Sequence, residues 1–278
     1  MKYINIFFAI AILFSVSSCD EKCIDIPPPP PPPENRVILI EEITGVSCPN
    51  CPAGAATIAD FKSTFPDNVV SVAYHSPPNF TELRPTSAYD FRRDEAADIE
   101  TAIGGAFGKP SAAFNRREAD NGFTWNGVIN SWAADAQTEL DRPATFLLYV
   151  ENSYDEGTRA LTCNVVGTPL ITDEDNYFIH VMILENNIID AQLDQSTDIL
   201  EYEHDHVFHK LLTNSVNGEA FSSGVTEGEE ISRTFNFTLP TQSDTDNVPW
   251  IAENCEIVAF ITNGDGLVEQ AAEAHVTE

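Results

Sequence analysis

The chain has 278 residues, too many for one small domain, and 42% of them are apolar, enough for a full hydrophobic core; a disulfide-stapled miniprotein is excluded. Against 14 Lys and Arg stand 44 Asp and Glu, a net charge of −30. That field repels a phosphate backbone, which excludes nucleic acid as a partner, and it discourages contact with anionic lipid, so membrane attachment needs a dedicated device.

Residues 1–18 read as a signal peptide. Lys2 precedes an apolar run from Ile6 to Phe14, too short to span a bilayer but suited to a signal-peptide core. Val16-Ser17-Ser18-Cys19 follows and resembles the lipobox of bacterial lipoproteins, which implies that Cys19 is acylated and that this lipid anchor holds a soluble body at a membrane surface. Residues 19–35 form the lipidated tether. It carries Asp20 and Glu21, which do not choose between the periplasmic and the surface leaflet, and an unbroken Pro27 to Pro33 run. Locked into polyproline II, that run is a stiff spacer of about 20 Å.

Arg36 to Ile43 is nearly continuous apolar and β-branched sequence, the pattern of a strand buried on both faces. A turn over Thr44 to Ser47 leads to a helix from Cys51 with Pro52 in its first turn and Ile58, Phe61 and Phe65 on one face. A second buried strand, Asn68 to His75, completes a βαβ unit. Further on, the pattern predicts a helix from Tyr89 to Ala102, a short strand from Ser111 to Asn115 and a helix from Asn126 to Leu140. At Pro143 alternation gives way to strand after strand, which sets domains at 36–142 and 143–278. Predicted strands are Thr145 to Glu151, Arg159 to Val166, Tyr177 to Glu185, Ile188 to Gln192, Ile231 to Leu239, Cys255 to Thr262 and Leu267 to Ala274. Asn186-Asn187 and Asn263 to Gly266 supply hairpin turns, and about seven short strands suggest an immunoglobulin-like β-sandwich.

Cys48-Pro49-Asn50-Cys51 carries the sharpest chemistry. A CxxC at the start of a helix after a buried strand sets the first sulfur on free backbone N–H groups, which favour its thiolate, and leaves the second close enough to resolve a mixed disulfide. The same pair in an exported protein could equally be a structural bridge; a metal site is opposed by the lack of a second CxxC.

With these cysteines, residues 36–142 resemble the thioredoxin superfamily. The resemblance implies a buried proton-moving acid at Glu42, six residues before Cys48, and a cis-proline at Pro110 that, with Lys109, helps bind the substrate chain. Ser47 stands where thioredoxins usually carry tryptophan. The whole chain is similar to a narrower family, the twenty-eight-kilodalton outer membrane proteins, a family of thioredoxin-like lipoproteins. The matching stretches are Glu41 to Gly45, the cysteine motif, Gly108-Lys109-Pro110, His204 to Val207 and Asn254 to Phe260. This implies an α/β thioredoxin-like domain followed by an all-β immunoglobulin-like sandwich, and placement at the outer membrane. It settles no activity, since the family is described as surface or adhesin-like without a firm reaction.

Weaker groupings have plainer readings. His204, His206 and His209 could approach one another as zinc ligands, but spacing fixes no partner ligand beside them, so polar packing is the better reading. Asp173 to Asp175 and Asn263 to Gly266 lack a full calcium loop and read as a solvated acidic cluster and a turn. No cofactor signature is read. Beyond the lipobox and the CxxC, Cys23 falls in the tether, while Cys163 and Cys255 alternate with apolar neighbours and could be bridged or be two buried thiols.

The expected function is thiol-disulfide exchange on protein thiols or disulfides, with Cys48 as nucleophile, Cys51 as resolver and Glu42 as proton relay. With neutral Pro49-Asn50 between the cysteines and a strongly acidic chain, the pair should be reducing or isomerising. The alternative is a non-enzymatic surface binding protein in which the bridge only fastens a loop and the sandwich supplies the binding face.

Overall fold

The first strand, β1 (Ile38–Ile43), is buried at every position because both faces of its sheet are covered. The protein is described by a computed structural model over residues 36–241 and 248–277, all within one compact unit, Pro32–Glu278. After β1 come α1 (Cys51–Thr64), β2 (Val69–Tyr74), α2 (Asp94–Ala102), β3 (Ser111–Phe114), a 3-10 turn over Ile129–Ser131 and α3 (Trp132–Leu140). Strands then follow: β4 (Phe146–Asp155), β5 (Ala160–Pro169), β6 (Asp173–Glu185), β7 (Ile188–Asp194), β8 (Thr197–His204), β9 (Val207–Leu211), β10 (Glu219–Val225), β11 (Ile231–Thr238), β12 (Cys255–Thr262) and β13 (Val268–His275). The chain is therefore β-rich with few helices. This corrects the expected α/β character, because among the described residues α-helix is confined to three segments before residue 143.

One sheet runs in the order β13-β12-β6-β9-β2-β1-β3, with β10 also paired to β6. Strands from both sides of Pro143 share it. The junction is β9, which lies parallel to β2 at Ala73 and Val207 and antiparallel to β6. The change of pattern at Pro143 is thus a change in what covers the sheet, not a break in it. On one face Leu39, Val72, Leu184, Phe208 and Phe260 pack with Ala96 and Ile99 of α2. The opposite face has two covers. α1 and α3 bring Ile58, Phe65, Trp132 and Leu140 against Ile38 and Ile40, while the three-stranded sheet β11-β5-β4 brings Leu161, Cys163 and Phe235 against Ile179, Val181 and Ile257. Each Leu, Ile, Val or Phe side chain among them taken from water contributes roughly 1.5–3 kcal/mol.

Several boundaries moved for visible reasons. α2 begins at Asp94, not Tyr89, because the Asp190 carboxylate on β7 accepts the backbone N–H of Ala88 (2.8 Å) and Tyr89 (3.0 Å), and Arg93 is extended. α3 begins at Trp132, not Asn126, because Asn126 exchanges backbone hydrogen bonds with Ala112 of β3. Asn186-Asn187 is a corner and not a hairpin: β7 leaves β6 and pairs with β8 as a separate two-stranded sheet. The turn at Asn263 to Gly266 does join an antiparallel pair, β12 with β13. β8, β9 and β10 were not foreseen, since their charged and polar residues break the alternation.

Candidate functional site

β1 delivers the chain to a tight loop in which Cys48 N–H donates to the Gly45 carbonyl at 2.9 Å, and α1 starts at Cys51 with Pro52 behind it. Cys48 and Cys51 are joined as a disulfide, Cα atoms 5.4 Å apart. Both are buried, Cys48 with 0% of its surface exposed and Cys51 with 2%.

The burial has a specific cause. The β7–β8 hairpin lies over the cysteine loop and is bonded to its backbone: Gln192 Nε2 donates to the carbonyls of Gly45 (3.3 Å) and Cys48 (3.2 Å), Leu193 N–H to Val46 (2.8 Å) and Gln195 N–H to Pro49 (2.8 Å). From the other side, Ser47 donates its hydroxyl to the Glu82 carbonyl at 2.6 Å, and Arg84 beside it forms a 2.7 Å ion pair with Asp198 of β8. Ser47, in the position of the expected tryptophan, is a clamp for the loop. Gly45 is required by this closeness, because a Cβ there would overlap the Phe80 carbonyl.

Behind Cys51 lies a cavity of about 300 Å³ between α1, β2 and the β8–β9 turn. Strand alternation aims Glu42 of β1 and Ser71 of β2 at α1, with Ile40 beside Ser71 and Glu42 beside Ala73 in the parallel register. Cys51 lines the cavity. Gly54 lets α1 come close, since a Cβ there would stand 2.7 Å from Glu42 Oε1. Glu42 is buried and its Oε1 has no hydrogen-bond partner; burial pushes its pKa up to about 8, so it holds its proton at neutral pH. His75, at the end of β2, has neither ring nitrogen bonded, and burial, reinforced by His204, Arg93 and Lys109, keeps it neutral. Burial drives His204 down to about 4. The rings of His75 and His204 each stand 4.9 Å from Phe91.

The remaining expected site residues are spread out. Pro110 is buried, its bond to Lys109 is cis, and β3 begins after it with Ser111 opposite Ile43, so it sits at the same end of the sheet as the cysteine loop. Lys109 turns to the Ser76 carbonyl at 2.7 Å, and desolvation lowers its pKa. Cys19, the acidic pair, Cys23 and the proline run lie outside the described residues. The three histidines diverge. His204 faces the cavity, His206 meets Glu256 at 2.8 Å, and His209 meets Glu185 at 2.7 Å while stacking on Trp250. Among the described residues no group of three His, Cys, Asp or Glu is placed to hold a metal. Asp173 caps its own strand through Asp175 N–H, and Asn263 Oδ1 accepts from Asp265 and Leu267 within its turn. Cys163 and Cys255 are free buried thiols, each with its pKa raised by desolvation, Cys163 to about 12. Sequence reading missed Ser71, His75, Gln192 and Tyr202. His75 had one signal, a histidine closing an otherwise apolar strand.

The fold defines a β-rich protein with a covered CxxC disulfide and a polar cavity behind it. Residues 99–278 match the family model of outer membrane protein Omp28, and the chain belongs to that family, which sets it at the outer membrane. The matched region starts within α2, so Lys109, Pro110 and His204 fall inside it and the disulfide, Glu42 and His75 outside. No curated protein matches the sequence significantly. Among solved structures, HBP35 of Porphyromonas gingivalis is similar in fold, with TM-score 0.66 and 14% identity over 87% of this chain and 76% of that one. A protein of Agrobacterium tumefaciens aligns over 87% of this chain and 96% of its own at 13% identity, with TM-score 0.49.

Proposed function

We propose that this chain is a lipid-anchored binding protein of the outer membrane in which the Cys48–Cys51 disulfide fastens the loop ahead of α1 and performs no redox cycle. The cover over Cys48 carries this reading. Exchange requires a thiolate to reach a disulfide sulfur, and access is part of its rate. Here the first sulfur is fully buried under a hairpin bonded to the loop's own carbonyls.

In this reading Cys19 holds the acyl chains. Residues 36–142 are a thioredoxin-like unit, supported by the β1-α1-β2 order, the CxxC at the start of α1 and the cis bond before β3. Residues 143–278 are a sandwich-type unit, supported by the packing of β4, β5 and β11 on β6 and β12. One observation favours thiol-disulfide exchange instead: protonated Glu42 shares a cavity with Cys51.

An insulin-reduction assay with dithiothreitol, run on the full chain and on Cys48→Ser, separates the two. The expected result is no acceleration by either protein, with Cys48 and Cys51 alkylated only after reductive unfolding. Acceleration by the wild type that is lost in Cys48→Ser overturns the reading and returns Cys48, Cys51 and Glu42 to catalytic roles, with Lys109 and Pro110 against the substrate chain.

A further inference from the structure

The cavity behind Cys51 is unusual for the polar groups it leaves unanswered. Glu42, Ser71, His75 and His204 are each at least nine-tenths buried, and Glu42 Oε1, Ser71 Oγ, both ring nitrogens of His75 and His204 Nε2 have no hydrogen-bond partner. Buried polar atoms are nearly always paired, and each one left open costs about 1–3 kcal/mol. Four such side chains, from β1, β2, the residue that follows β2, and β8, line one space of about 300 Å³. The opposite wall is apolar, formed by Pro52, Ala55, Ile58 and Ala59 of α1. A cavity with one apolar wall and a few convergent polar groups has the make-up of a small-molecule site, near the lower end of the usual size range.

Its chemistry narrows the ligand. Glu42 offers a donor and an acceptor while protonated, the Ser71 hydroxyl offers both, and neutral His75 offers one of each. His204 bonds the Ala191 backbone through its other nitrogen, leaving Nε2 as an acceptor. The floor therefore has hydrogen-bonding capacity without charge. An anion finds no free cation at the described lining, because Lys62 is paired with Glu273 at 2.9 Å and His206 with Glu256 at 2.8 Å, and Glu203 and Asp205 stand at the exposed edge. Inside the chamber, away from those two edge carboxylates, a cation would have to draw the proton from Glu42.

We propose that this chamber binds an uncharged small molecule carrying hydroxyl or amide groups on a compact apolar body, the apolar part against α1 and the polar part against Glu42, Ser71, His75 and His204. The proposal rests on the reading of the chain as a binding protein and names its ligand class.

The probes are benzyl alcohol and benzamide, with benzoate as the charged counterpart, titrated into the full chain and followed by saturation-transfer and imidazole ¹⁵N NMR. Two variants accompany the wild type: Ala55→Leu, which fills the cavity from a helix that accepts leucine, and His75→Phe, which removes two unpartnered nitrogens while keeping the ring beside Phe91. The neutral probes should bind the wild type and shift the His75 and His204 resonances. Benzoate should bind at least tenfold more weakly. Both variants should lose at least tenfold in affinity while unfolding at or above the wild-type temperature, since neither breaks a native bond. The proposal is overturned if no neutral probe binds the wild type, meaning that the chamber holds water only. It is equally overturned if benzoate binds as well as benzamide, or if Ala55→Leu binds like the wild type. Insulin reduction measured on the same samples keeps the two readings apart: reductase activity removes the binding-protein reading, whereas absent probe binding without reductase activity removes this chamber alone.

Discussion

Gln192 on β7 donates its side-chain amide to the carbonyl of Cys48 at 3.2 Å, so a residue 144 positions away holds down the loop that carries the first cysteine. The same amide reaches the Gly45 carbonyl at 3.3 Å and is itself buried. Replacing it with Gln192→Ala should lower stability by about 1–3 kcal/mol, the cost of opening buried hydrogen bonds. It should also speed reduction of Cys48–Cys51 by dithiothreitol severalfold. Urea titration and timed alkylation check the two effects; an unchanged reduction rate would show that the hairpin is not what protects the disulfide.

Glu42 sets a pH dependence of stability. Its folded carboxyl keeps its proton to about pH 8, against 4.5 for an ordinary glutamate. Between these values the folded state binds more protons than the unfolded one, so the Glu42 contribution is fully present below 4.5 and is lost as pH rises toward 8, by an amount on the order of 4 kcal/mol. Glu42→Gln removes that slope. The variant should gain on the wild type steadily from pH 5 to pH 8 in urea titrations. His204, depressed to about 4, acts with the opposite sign at lower pH but is common to both proteins and drops out of the comparison.

On the other face of β1, Glu41 and Arg116 form a bidentate buried pair at 2.8 and 2.9 Å, with the Tyr74 hydroxyl donating to Glu41 at 2.9 Å. Arg116→Met leaves the carboxylate unpaired and should cost about 3–5 kcal/mol. Adding Glu41→Gln removes the orphaned charge and should recover more than half of that loss, as a double-mutant cycle in urea would read.

The anchor has its own test. If the acyl chains proposed at Cys19 are the membrane contact, Cys19→Ala should abolish incorporation of labelled palmitate and release the protein from membranes washed in high salt. Tight retention of the unlabelled variant would defeat the assignment of Cys19.

Local pattern carried the elements far better than their arrangement. The apolar run at Ile38 to Ile43, the amphipathic α1 and the alternating β12 and β13 are each marked by a period that survives in any context. β8 and β9, by contrast, hold Glu201, Glu203 and Lys210, and nothing in such a stretch says that β9 will insert between β2 and β6. The start of α2 was misread for the same reason, because its backbone is claimed by Asp190, about a hundred residues away.

By itself the sequence determined the family, the cysteine pair at the start of a helix, an acid six residues before it and the proline ahead of β3, since these are chemical identities at short spacings. Tertiary structure alone decided what they amount to. Burial depends on which distant strands return to the loop, and here β7 and β8 return to cover Cys48 while β8 brings His204 to Glu42, Ser71 and His75. Access to a sulfur and the protonation of a carboxyl are properties of surroundings, and those surroundings include residues more than a hundred positions away.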